Sequence, residues 1–170
     1  PYNPNSPYSS SKASADLIVR SFNKTYGLNV TTSISSNNFG RNQHHEKFIP
    51  KLLKCIKENT SFPLYGDGKN MRDWICVNDN VSAIESIFNL GFSGEKYNVG
   101  SGKSVSNLEI VQYSYQAAGS SPKINFVKDR CGHDYRYSIN NKKIQNNFDW
   151  KVSKNIFDYL NEQLIKIKNN

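Results

Sequence analysis

Near the start of the chain, in SPYSSSK, Tyr8 and Lys12 stand four residues apart just behind a proline. On a helix that spacing puts both side chains on one face, so an ammonium sits close to a phenol and to whatever the phenol touches. A free phenol titrates near about 10, too high to accept a proton at neutral pH, and a neighbouring positive charge favours the phenolate. Such a pair makes a usable general base. YxxxK by itself is a weak signal, because the two residue types often meet at this spacing by chance, and exposed helix decoration is its default reading.

Other residues invite chemistry less strongly. Gly100 to Ser104, GSGKS, follow a strand and suggest a phosphate-binding loop, but five positions before Gly102 stands Tyr97 rather than glycine, and the next helix start is Ser106. A strand-end turn is the better account. His44, His45 and Glu46 could suggest a metal, yet adjacent histidines cannot both face one ion as an i, i+4 pair does; no metal site is expected. His133, in DRCGHDYRY, reads equally as part of a site loop or as an exposed turn.

These residues need elements to hold them. Ser6 can cap a helix that Pro7 begins, Leu17, Ile18, Phe22 and Tyr26 keep helical spacing, and Gly27 closes it. LNVTTSIS reads as a strand running into an NNFG loop. EKFIPKLLKCIKENT reads as a helix, and FPLYGDGKNMRDWICV as two short strands about a turn at Gly66-Asp67-Gly68. NDNVSAIESIFNLG is helical, GEKYNVGSG a strand and turn, SNLEIVQYSYQAAG a helix capped by Ser106, INFV a strand, and the tail from about Asn140 two short helices. Helices and strands alternate without repeats, the pattern of a layered α/β protein.

The 170 residues suit one domain, with 36% hydrophobic, 12% aromatic and 21% charged residues. No apolar run approaches the roughly 20 residues of a membrane span, and PYNPNSPY is neither a basic nor an apolar leader. Cys55, Cys76 and Cys131 are odd in number and form no CxxC, which fits a reducing cytoplasm better than a disulfide framework. The net charge of +8 could attract nucleic acid, but lysines 142, 143, 151, 154, 166 and 168 are interleaved with apolar residues as on solvated helix faces. No nucleic-acid partner is expected; a basic site for a small diphosphate is equally compatible.

PYSSSKASAD, SSNNFG, EKFIP, PLYGDGKNMRDWICVNDN, YNVGSG and DRCGHDYRY, in this order, resemble the extended short-chain dehydrogenase/reductase family, and within it the nucleotide-sugar 4,6-dehydratases. The likeness runs from Pro1 to about Trp150. It implies an α/β fold made of the last Rossmann-type strands and helices plus a small α/β substrate-binding part. Residues near 1–45 and 70–100 would belong largely to the former, and 46–70 and 101–170 to the latter. It implies NAD as cofactor, a nucleotide-diphosphate sugar such as dTDP-glucose as substrate, and a homodimer. Tyr8 would take the proton of the sugar's 4-hydroxyl as hydride leaves C4 for NAD+; Lys12 would bind the cofactor ribose and hold Tyr8 as phenolate. Water is then lost across C5 and C6, and hydride returns to C6.

Matched motif to motif, Asn37 would contact substrate and Asn38 cofactor, with Lys47 and Phe48 along the diphosphate and sugar. Pro63, Leu64 and Tyr65 would line the nucleobase pocket, Arg72 and Asn107 would approach the diphosphate and nucleoside, and Asp129, Arg130 and His133 would close the nucleotide end. Arginine's planar fork suits phosphate oxygens, and an aromatic ring suits a stacked base. Cys131 replaces a usual proline and Phe39 a usual tyrosine, and RNQHH departs from the family's run before EK. The glycine-rich cofactor loop and the Thr-Asp-Glu segment of such enzymes are not among these residues. The expectation is the C-terminal portion of such an enzyme, inactive by itself. A UDP-sugar epimerase or decarboxylase and a non-catalytic nucleotide-sugar-binding remnant are the competing readings.

Overall fold

The computed structural model describes residues 2–169; Pro1 and Asn170, the ends of the unit read from sequence, lie outside the described residues. Helix α1 spans Pro7–Tyr26, with the Ser6 hydroxyl accepting the Ser9 N–H at 3.1 Å and Gly27 closing it at φ 65°, as the capping residues predict. None of its residues is buried: Leu17, Ile18, Phe22 and Tyr26 are 48–73% exposed. Polar ties hold it instead. The Tyr2 hydroxyl donates to Asp16 at 2.6 Å, Lys96 Nζ lies 3.3 Å from the same carboxylate, and Asn23 Nδ2 donates to Leu28 O and Ser93 Oγ.

Strand β1 (Thr32–Ser35) enters the loop predicted at NNFG, but Asn37–Phe39 form a second strand, β2. Its partner explains the difference: β2 runs parallel to β4 (Met71–Cys76), pairing Asn37 with Trp74 and Phe39 with Cys76, so distant residues supply the backbone partners that this short polar run could not announce. Helix α2 (Phe48–Lys57) and strand β3 (Phe62–Tyr65) come between them. Although β3 and β4 flank the predicted glycine turn, they do not pair with each other. Gly68 takes φ +73°, and a Cβ there would come within 2.5 Å of Leu64 Cδ2, so the turn needs glycine twice over.

After β4 come α3 (Val77–Leu90), β5 (Lys96–Val99), β6 (Ser104–Ser106), α4 (Asn107–Ala118), β7 (Ile124–Val127), β8 (Arg136–Tyr137), α5 (Lys142–Phe148) and α6 (Ile156–Lys168). Strand β5 is parallel to β1 and β7 to β3, while β6 joins β4 antiparallel and β8 joins it parallel. Period-two alternation on β4 divides the interior. Trp74 and Cys76 face a larger cluster with Phe39, Leu52, Phe62, Leu64, Ile110 and Leu160. Ile75 faces a smaller one with Ala83, Ile87, Tyr97, Val99, Ile144 and Trp150. Arg72 and Asp73, at the start of the same strand, are thereby carried inside.

Candidate active site

The first turns of α1, residues 33–38 and the side chains of Arg72, Asp134 and Tyr137 enclose a cavity of about 900 Å3. Tyr8 and Lys12 share the helix face that lines it, with Lys12 Nζ 5.9 Å from the centre of the Tyr8 ring. Tyr8 is 71% exposed, open to an incoming ligand. Asn37 and Asn38 reach the wall from β2. Asn38 Nδ2 donates to Ser36 O at 3.2 Å, while its Oδ1 is buried with no hydrogen-bond partner among the described residues. A buried acceptor without a donor costs about 1–3 kcal/mol, so it is a place where a ligand's hydroxyl or amide adds binding free energy.

Arg72 joins this cavity to a second set of residues. It is 9% exposed, and its Nη2 lies 2.8 Å from Asp134 O and 2.7 Å from His133 Nε2. Arg130 Nη2 approaches the same His133 nitrogen at 2.9 Å, and His133 Nδ1 lies 2.7 Å from Asp129 Oδ1. Guanidinium groups only donate, so Nε2 accepts from both arginines and the ring proton is on Nδ1, directed at Asp129. That hydrogen bond, with the Arg130 backbone N–H second, holds the Asp129 carboxyl below its ordinary value. Burial lowers the Arg72 guanidinium, opposed by Asp134 and Asp129. Arg130 also lies over the exposed Tyr65 ring, 5.1 Å from its centre.

The remaining residues named from sequence are dispersed. Lys47 is the exposed N-cap of α2, and Phe48 packs its ring against Phe62 and Trp74. On β3, Pro63 and Tyr65 point away from the core while Leu64, 1% exposed, is part of it. Asn107, 9% exposed, opens α4 with its N–H on Asn70 O. None of these lines the Tyr8 cavity, nor do Asp129, Arg130 and His133. Among the described residues no group of three or more His, Cys, Asp or Glu could hold a metal, and no helix is long and apolar enough to cross a membrane.

The structure also adds residues. Asp134 and Tyr137 line the cavity; the Tyr137 phenol is pushed up by burial first, then by Tyr8, Asp134, Asp16 and Asp73 nearby. Both stand in GHDYRY, where the likeness of motif could have drawn attention to them. The GSGKS loop does hold an anion, and the anion is the protein's own. Ser101 N and Oγ donate to Asp73 Oδ1 at 2.8 Å each, Gly102 N to Oδ2 at 3.0 Å, and Ser36 Oγ to Oδ1 at 3.2 Å. The loop therefore clamps β4 beside the Asn37 strand, consistent with a strand-end turn.

Residues 1–163 match the model of the family described as GDP-mannose 4,6 dehydratase. A low-salt glycan biosynthesis protein of Haloferax volcanii is 46% identical over 144 residues, covering 84% of this chain and 46% of its own. A dTDP-glucose 4,6-dehydratase of Streptomyces griseus is 40% identical over 161 residues, covering 94% and 49%. The crystal structure of dTDP-glucose 4,6-dehydratase from Bacillus anthracis in complex with NAD superimposes with TM-score 0.92 at 43% identity, over 100% of this chain and 54% of that one. UDP-glucuronic acid 4-epimerase from Bacillus cereus, at 21% identity and TM-score 0.89 over 98% and 54%, shares the fold. The chain spans about half the length of the curated relatives it matches, and its fold is the Rossmann-type extended short-chain dehydrogenase/reductase fold that the resemblance implied.

Proposed function

Because the chain belongs to the GDP-mannose 4,6 dehydratase family, we propose that it forms the substrate-side portion of an NAD-dependent nucleotide-sugar 4,6-dehydratase acting on dTDP-glucose. The observation that carries this reading is one cavity in which Tyr8 and Lys12 face Asn37, Asn38 and the buried Arg72. The relatives named dTDP-glucose 4,6-dehydratase support the substrate.

The residues present fit a nicotinamide dinucleotide: the partnerless Asn38 Oδ1 suits an amide or hydroxyl donor, and Lys12 suits ribose hydroxyls. NAD, when bound, supplies the oxidation at C4 of the sugar and the reduction at C6 that ends the sequence. Tyr8 Oη accepts the proton of the 4-hydroxyl, and the Lys12 ammonium on the next turn offsets the negative charge left on the phenol oxygen. Asn37 orients the sugar. Arg72 and Arg130 hold the diphosphate, their planar groups already directed by His133, whose ring Asp129 fixes. Tyr65 and Pro63 flank the nucleobase, with Leu64 supporting them from the core; Lys47, Phe48 and Asn107 border the nucleotide-sugar. The same reading carries a homodimer with the apolar stripe of α1 in its contact, and a reducing cytoplasmic setting in keeping with three free cysteines.

The test is turnover by the full-length gene product. Incubated with dTDP-glucose and NAD, it should give a 4-keto-6-deoxy sugar nucleotide, seen by mass spectrometry as loss of one water. A folded protein that returns the sugar with only its C4 configuration inverted, or unchanged, rules the proposal out.

A further inference from the structure

A second cavity, of about 440 Å3, shares no lining residue with the Tyr8 cavity. It lies between the Gly40–Asn42 loop, the start of α3 and the face of α6. Three features of its wall concern anions. Tyr159 is 8% exposed, and its hydroxyl has no hydrogen-bond partner among the described residues, although its ring is fixed against Phe39 at 5.1 Å between centres. Tyr159 lines the cavity, and a hydroxyl that opens on a cavity without a protein partner is a position a ligand can fill.

Helix α3, 14 residues long, opens here. Cys76 at its N-cap gives no side-chain hydrogen bond to the first-turn N–H groups, and Val77 and Asn78 line the cavity. Those N–H groups and the positive end of the helix dipole favour an anion. The third feature is charge. Lys154 and Glu162 are paired at 2.5 Å, whereas Arg41 and Lys166, also in the wall, have no acidic partner among the described residues. The cavity therefore carries two uncompensated cations, a free hydroxyl and a helix N-terminus.

We infer that this cavity is a binding site for a phosphate group, distinct from the nucleotide-sugar site. The Arg41 fork, the Lys166 ammonium, the Tyr159 O–H and the first-turn N–H groups of α3, which all border this cavity, are each suited to phosphate oxygens. The volume exceeds that of a bare phosphate, leaving room for a small carrier.

The experiment is an NMR titration of the 170-residue chain with inorganic phosphate, at ionic strength held constant with chloride. Amide signals of Arg41, Val77, Asn78 and Tyr159 should move together and saturate with one dissociation constant. Arg41→Ala and Lys166→Ala, both exposed, should each weaken binding about tenfold, the loss of one charge-assisted hydrogen bond. Tyr159→Phe should weaken it severalfold while the rest of the spectrum is preserved. Equal affinity in all three variants, shifts that rise without saturating, or shifts confined to Arg72 and Arg130 overturn the inference. Glucose 1-phosphate is the second probe: the same shifts assign a phosphorylated metabolite as occupant, and its exclusion assigns free phosphate.

Discussion

Arg72 Nη2 lies 2.7 Å from His133 Nε2, and because a guanidinium cannot accept, this contact sets which nitrogen of the ring carries the proton. The proton on Nδ1 is given to Asp129 at 2.7 Å. A loop histidine and a strand arginine thus hold each other in one orientation, with the Arg130 guanidinium on the same ring nitrogen.

The pH dependence of that cluster follows from Asp129. His133 first, and the Arg130 backbone N–H second, lower its carboxyl from the ordinary value. A folded value below the unfolded one, about 3.9 for aspartate, means that its contribution to stability is present above about pH 3.9. It is lost as pH falls through the lower folded value. A carbon-13 NMR titration of the Asp129 carboxyl should therefore find it ionised at pH 3.9, and a midpoint at or above that contradicts the arrangement.

Tyr8→Phe removes only the hydroxyl, from a residue 71% exposed, and should leave the fold unchanged. In the full-length protein, turnover of dTDP-glucose should fall by roughly 10²- to 10⁴-fold, the usual worth of a positioned proton acceptor. Binding of the nucleotide, measured by calorimetry, should change little. Comparable losses in both would show a binding role in place of proton transfer.

Asp73→Asn tests the clamp between the Ser101-Gly102 turn and β4. The side chain is fully buried and accepts from Ser36 Oγ, Ser101 N, Ser101 Oγ and Gly102 N. An amide of the same shape turns an NH2 toward at least one of these donors and removes the charge they were satisfying. Urea unfolding should show a loss of about 3 kcal/mol, whereas a midpoint unchanged from the parent would mean that the turn holds without it.

Alkaline pH should find three phenols late. Burial raises Tyr115, whose hydroxyl donates to Thr60 O at 3.0 Å, and likewise Tyr137 and Tyr159. Groups raised in the folded state contribute stability that is whole below the unfolded value, about 10, and is lost as pH climbs through the folded values. Ultraviolet titration should show Tyr115, Tyr137 and Tyr159 ionising above the ordinary phenol value. A single transition near pH 10 with the fold intact would contradict this.

Much of the local structure could be read residue by residue. Ser6, Gly27 and Ser106 marked helix ends because a cap answers unsatisfied backbone groups within three residues of itself. Tyr8 and Lys12 shared a face because 3.6 residues make a turn. Less could be read where partners are distant. NNFG became a strand through β4, and Leu64 was drawn into the core while its neighbours Pro63 and Tyr65 were turned out, an alternation visible in the sequence only once β3 was known to be half-buried.

The sequence by itself therefore determined the helices, their caps, the α/β order and the placing of Tyr8 and Lys12 on one helix face, since each depends on neighbours a few positions away. Only the tertiary structure decided that Asp73 fills the GSG turn, that His133 is held between two arginines, and that Asp134 and Tyr137 share a cavity with Tyr8. Apart from Arg130 and His133, three positions apart, these are meetings of groups 28 or more positions apart. They arise when β4 carries Arg72 and Asp73 into the interior, where polar groups cut off from water take partners from whatever chain lies beside them.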